Sequence, residues 1–308
     1  MRISSLSFYN ATLAGMQSQQ SSIARLSQQI ATEQKYLAPK DAPIDAAAIM
    51  QLSDKIAMRG LYQTNQTRAN TVLKEESLVL GQMDKTLTSV QTLLIGAGVE
   101  QDRVSREGMA AQLNGFYMQI KDLANHRDAA GNYIFAGAQS DTVPFTHAPT
   151  YPAESASSAP TSVIADASFQ RMIEVDANRE VALNDDITPV MVPPGYDLLQ
   201  ALDTVAAGLL GATPTATQAD LDTALAAVSS AIEALRITQV KVGGRINAVA
   251  DSESTVRAFQ LADQNALAKL TELDKSAAII ELQLRQTSLE AAQNSFSMTA
   301  KQSLFNYL

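Results

Sequence analysis

Apolar residues recur along the opening of the chain at alternating three- and four-residue steps. Leu6, Tyr9, Leu13, Met16, Gln20, Ile23, Ser27, Ile30, Gln34 and Leu37 form this series, and seven of the ten are apolar. That is the stripe of an amphipathic helix. Pro39 disfavours helical geometry at Ala38, so the spacing predicts a helix of about 34 residues, about 50 Å long, ending there. Asp41 is then placed to cap a second helix through the amide of Ile44, because Pro43 has no amide to give.

The second helical pattern carries Leu73, Leu80, Met83, Leu87, Val90 and Leu94 on one face, up to a predicted break at Gly96-Ala97-Gly98. Leu113, Phe116, Ile120 and Leu123 resume it. Past Gly131 the period changes. Val143 to Phe145, Ser162 to Ile164, Phe169 to Val175 and Arg179 to Leu183 are short β-branched or aromatic pieces between turn residues, which predicts a small β-rich insert. The helical signal returns from Tyr196, and Thr217 with Asp220 makes a capping-box pattern ahead of Leu221, Leu225, Val228, Ile232, Leu235 and Val242. Gly243-Gly244 inside this pattern costs about 2 kcal/mol relative to two alanines, marking either a bend or a close approach by another backbone.

The last segment is the most regular. Nine of the twelve positions from Leu270 through Leu273, Ala277, Ile280, Leu284 and Met298 to Leu308 are apolar at heptad spacing. Leu282, Leu289 and Phe296 form a second seven-residue series on nearly the opposite face. A helix with two apolar faces needs two partners. The opening seam of Leu6, Leu13, Met16, Ile23 and Ile30 is therefore expected to pair with Leu270, Ala277, Ile280, Leu284 and Met298. Leu282, Leu289, Phe296, Leu304 and Phe305 are left for intersubunit or chaperone contact. Charge depletion supports this: from Gln286 to Leu308 only Glu290 and Lys301 are charged, and such a surface can be buried without desolvating ions.

These patterns predict a mainly α fold with long paired terminal helices, a helical rod domain and a small β-rich insert in the middle of the chain. The expected domains are a terminal coiled-coil assembly domain from 1–38 with 270–308, a rod domain from 39–137 with 196–269, and an outward-facing insert at 138–195.

Composition narrows the chemistry. The 308 residues include 32 acidic and 23 basic side chains, for a net charge of -9, which argues against partners that are nucleic acid or anionic membrane. With no cysteine and only His126 and His147, thiolate chemistry and Cys-ligated metals are excluded and most acid-base sites become improbable. No phosphate-binding glycine loop, zincin helix, nucleophile elbow or EF-hand loop is found. The carboxylate pairs Glu75-Glu76 and Asp185-Asp186 read as solvated surface. No enzyme activity, cofactor or metal is expected. The first 32 residues lack the apolar run of a cleaved signal peptide, and no apolar stretch is long enough to span a bilayer. Either a soluble protein or export by another signal is implied.

Six short segments in order carry a resemblance. They are Met1-Arg2-Ile3-Ser4, Phe8-Tyr9, Met16 to Gln20, Leu37 to Pro43, Gly131 to Gly137, and Ser303 to Leu308. Together they resemble the flagellin family, at its bacterial hook-filament junction branch. Ala42 stands where that branch commonly has a second Asp, and the insert carries nothing diagnostic. Flagellin itself is similar at Arg25-Leu26-Ser27, but its usual Asp-Asp-Ala-Ala-Gly stretch is here Asp41-Ala42-Pro43-Ile44.

The resemblance implies a structural protein of the extracellular flagellum, exported by the flagellar type III system and assembled as a ring. Its implied partners are hook-associated protein 1, flagellin, an export chaperone and further copies of itself. A filament subunit and a cytoplasmic helical adaptor are the competing readings.

Overall fold

The computed structural model describes residues 2–98, 102–137, 139–147, 149, 161–163, 170–210 and 218–305. Seven α-helices and four short strands lie among them. In chain order these are α1 (Arg2–Thr32), α2 (Pro43–Ala97), α3 (Arg103–Ala124), β1 (Phe145–Thr146), β2 (Ser162–Val163), β3 (Met172–Asp176), β4 (Arg179–Ala182), α4 (Thr188–Met191), α5 (Leu198–Leu210), α6 (Gln218–Thr271) and α7 (Lys275–Phe305). Residues 1–58 with 258–308 form one compact unit and residues 59–257 another, with both boundaries inside helices.

The larger unit contains the main core. Leu73, Leu80, Met83, Leu87, Val90 and Leu94 of α2 are buried together with Leu113 and Ile120 of α3 and Val228, Leu235 and Val242 of α6. The heptad-like stripes read from the sequence are thus the buried faces of long helices. The Gly96–Gly98 break ends α2 at Ala97, and α3 begins after Asp102, whose carboxylate accepts the Ser105 amide at 3.2 Å as an N-cap. α5 packs along α3 and buries Leu198, Leu199, Leu202 and Val205.

The Gly131–Gly137 segment is a core-anchored turn. Asp128 Oδ1 accepts the amides of Ala130 and Asn132, both at 2.9 Å, around Gly131 at φ +86°, where a side chain would be strained. Ile134, Phe135 and Ala136 are then fully buried, and the Arg127 guanidinium lies 4.2 Å over the Tyr133 ring. The insert holds two antiparallel pairs. β1 meets β2 through Phe145 and Val163, and β3 meets β4 through Ile173 and Val181, with a bulge between Glu174 and Asp176.

Four local expectations are corrected. α1 stops at Thr32, because Glu33 takes a left-handed φ of +59° and the chain leaves the helix there. Asp41 does not reach Ile44; its Oδ2 accepts the amides of Leu37 and Ala38 at 3.2 and 3.1 Å, closing a 3-10 turn over Pro39–Asp41. α6 continues through Gly243-Gly244 without interruption, and a Cβ on either would meet nothing within 4 Å, so no other backbone comes close there. The final helical pattern is broken at Glu272–Asp274, where Asp274 caps α7 through the Ala277 amide at 3.0 Å. Thr217 of the expected capping box lies outside the described residues.

Candidate assembly surface

The smaller unit is organised around a knot joining its two chain segments. Lys35 donates its amide to the Thr271 carbonyl at 2.8 Å, and Leu273 donates to Glu33 at 3.1 Å, with Gln34 and Glu272 paired as an antiparallel bridge. Around it, Gln29 Nε2 donates to the Lys35 carbonyl at 2.6 Å, Lys275 meets the Glu33 carboxylate at 2.7 Å, and Arg25 meets Asp41 at 2.8 Å. Desolvation pushes the Asp41 carboxyl up, but the Ala38 and Leu37 amides and Arg25 outweigh it and hold the group below its ordinary value. The Leu37–Pro43 motif is therefore a folded clamp. Beside it lies an apolar cavity of about 240 Å³ lined by Gln34, Tyr36, Leu37, Pro39, Ile49 and Met50 among others.

From this knot α1 and α7 run antiparallel, since Glu33 sits at Lys275 and the Tyr9 ring lies 5.0 Å from that of Phe296. Their facing sides are heptads. On α1, Thr12, Met16, Gln19, Ile23, Leu26 and Ile30 are covered or half-covered, and Leu26 is the most buried at 8% exposure. On α7 the corresponding series is Ala278, Leu282, Arg285, Leu289, Ala292 and Phe296.

The structure thus exchanges the two stripes expected of α7. Leu282, Leu289 and Phe296, expected to face another subunit, share the Phe296 face that lies against α1. Ile280, Leu284 and Met298, expected to face α1, are 67%, 66% and 65% exposed, and Ala277 is exposed too. The physical reason is the break at Glu272–Asp274: a heptad phase counted from Leu270, which belongs to α6, does not survive a non-helical interruption. On α1, Met16, Ile23 and Ile30 are half-covered, whereas Leu13 is at the edge, 39% exposed. Leu26 was not among the expected seam residues. Its spacing of three from Ile23 and four to Ile30 is the signal that marks it. Leu6, Leu304 and Phe305 lie outside the residues whose side chains are described.

What remains is a unit in which only Leu26 and Ala278, among the described apolar side chains of α1 and α7, are buried. The uncovered Ile280, Leu284 and Met298 form a second stripe. Two helices with so little shared core are marginal in water, so this arrangement suits a surface completed by other chains.

Both histidines are engaged within the fold. His126 meets Glu75 at 3.3 Å, and buried His147 shares a 2.7 Å hydrogen bond with the Tyr117 hydroxyl, whose titration is pushed up by burial and by Asp203 and Asp197. Among the described residues no group of three or more His, Asp or Glu could hold a metal ion, and no helix is long and apolar enough to cross a membrane.

Comparison with known proteins gives this surface its context. No protein-family model matches the chain. Flagellar hook-associated protein 3 of Escherichia coli (strain K12) is 27% identical over 323 aligned positions, covering 99% of each chain. The chain is similar to this protein over nearly its whole length. The hook-associated protein 3 of Salmonella typhimurium is 26% identical over 328 positions, again covering 99% of both chains.

Solved structures share the fold. A putative flagellar hook-associated protein from Vibrio parahaemolyticus superposes with a TM-score of 0.67 at 20% identity, covering 75% of this chain and all of that one. Hook-associated protein 3 from Legionella pneumophila gives 0.62 at 17% identity, covering 72% of this chain and 98% of that one. The similarity to hook-associated protein 3 supports a structural role in the bacterial flagellum.

Proposed function

We propose that this chain is a structural junction protein of the flagellum. Copies assemble as a ring, one end of which sits on the hook-side junction protein, hook-associated protein 1, while the other templates flagellin. The chain leaves the cell through the flagellar type III system, with an export chaperone on its C-terminal segment, and the 138–195 insert faces outward. No turnover is needed for this role.

The observation that carries the reading is the terminal unit: two paired helices with almost no core of their own and an apolar stripe of Ile280, Leu284 and Met298 left uncovered. Covering side chains of this size removes apolar area worth about 1.5–3 kcal/mol each when burial is complete. Repeated around a ring, that gain suffices to order helices that are marginal alone.

The test is deletion of the gene, followed by electron microscopy of the cell surface and measurement of flagellin in the medium. Hooks without filaments, with flagellin lost to the medium and filaments regained on restoring the gene, are the expected result. Intact filaments in the deletion strain would overturn the junction role. Long filaments grown from the purified chain without a hook would identify a filament subunit instead.

A further inference from the structure

The carboxylate pairs read as solvated surface contain one fully buried member each. Glu76 of α2 is 0% exposed, and Asp185, just past β4, is 4% exposed. Sequence placed them on the surface because acids without a visible partner usually are, yet their partners stand 60 to 109 residues away. Asp185 engages both forks of Arg245 on α6, Oδ1 to Nη2 at 2.6 Å and Oδ2 to Nη1 at 2.8 Å. Its backbone amide donates to Glu76 Oε1 at 2.9 Å. The other Glu76 oxygen, Oε2, is buried without a partner.

We propose that a proton held on Glu76 fastens the β3–β4 hairpin and its following loop to α2, making this join a pH-sensitive latch within the larger unit.

Charges face Glu76 from each element packed against it. From α6 comes Arg245, whose guanidinium is taken up bidentately by Asp185. From the insert come Asp185 itself and Arg171, whose Nε is buried without a partner and whose charge favours the ionised form. An ionised Glu76 would therefore share a dry site with a second carboxylate whose arginine is already engaged. The acid form keeps Oε1 as acceptor for the Asp185 amide and removes the buried charge. Desolvation, followed by the Asp185 charge, pushes the Glu76 carboxyl up to about 8, against the opposing pull of the Asp185 amide, Arg245 and Arg171.

The remaining contacts locate what the latch holds. Gln66 Nε2 donates to the Val175 carbonyl at 2.7 Å and Asn65 Nδ2 to the Glu174 carbonyl at 2.8 Å. The loop is tied back to the hairpin by the Arg171 amide on Asn184 Oδ1 at 2.7 Å and the Leu183 amide on the Arg171 carbonyl at 2.8 Å. Detaching this segment exposes Glu76 to water, where its ordinary value of 4.5 applies, so opening releases one proton. The opening constant then rises about tenfold per pH unit from about pH 5 to about pH 8, and levels off above that, where Glu76 is ionised in both states.

Native-state hydrogen exchange on the full chain reads this directly, through backbone amides of 172–185 corrected for their intrinsic rates. Wild-type protein should show the tenfold-per-unit rise, and Glu76→Gln, which keeps the shape and cannot ionise, should show none. A flat wild-type profile between about pH 5.5 and pH 7.5 overturns the latch. So does a slope that survives in Glu76→Gln, which would belong to another group. Should Glu76→Gln not fold, the carbon-13 shift of the Glu76 carboxyl in wild-type protein decides: a midpoint in the ordinary carboxylate range overturns the proposal, and one near neutrality or above upholds it.

Discussion

Replacing Leu284 with Asp separates folding from assembly. In the single chain this side chain is 66% exposed, and surface changes of that kind move stability by about 0.5 kcal/mol or less. In the proposed ring the same side chain would be covered. Complete burial of a leucine is worth about 1.5–3 kcal/mol, so two thirds of it gives about 1–2 kcal/mol lost per copy. The aspartate adds a carboxylate desolvated without a partner, a further cost of several kcal/mol. Together these weaken each contact by about 5 kcal/mol, more than a thousandfold at 1.4 kcal/mol per factor of ten.

The assay is complementation of the deletion strain, measuring the variant in the medium and in purified flagella, beside circular dichroism of the isolated protein. Leu284→Asp should be secreted and melt as wild type, yet be missing from flagella. Leu289→Asp, on the face turned to α1, should also fail to incorporate while the larger unit stays folded, and in addition its α1 and α7 should be cut faster by protease. Wild-type incorporation of Leu284→Asp and Ile280→Asp, at equal secretion, would refute the reading of the exposed stripe as an assembly surface.

Further consequences concern the core, the buried ion pair and the clamp. Leu87→Ala, at a fully buried position, should cost about 2–5 kcal/mol in urea unfolding of the larger unit. Arg245→Met strands the Asp185 carboxylate, 5% exposed at its side chain, and should cost about 3–5 kcal/mol in the same measurement. Because the folded Asp41 carboxyl is held below its ordinary 3.8, its contribution is present above that value and lost as pH falls through the lower folded value. Protease sensitivity between Thr32 and Pro43 should accordingly rise only in strong acid, and Asp41→Ala should show it at neutral pH.

The parts of the fold that were legible are those with one buried face. Leu73 to Leu94, Leu113 to Leu123 and Leu221 to Val242 needed only their spacing, because a long helix against a core must repeat its apolar positions. The break before α7 was hidden because Glu272-Leu273-Asp274 contains neither Gly nor Pro, and the carried-over phase then rotated the expected seam away from α1. The burial of Glu76 and Asp185 was hidden for a different reason: the partners that make it tolerable are distant in sequence. Leu26 was legible in principle, since the spacing around Ile23 and Ile30 admits it.

The knot of Glu33, Lys35, Thr271 and Leu273 joins segments with more than two hundred residues between them, and the Tyr9–Phe296 contact spans still more. Closing so long a loop is slow, and it requires both segments to be present. A chain interrupted anywhere before Lys275 has no α7 and leaves α1 without the helix it packs against. The terminal unit thereby forms late, only once α7 has been made and has found α1.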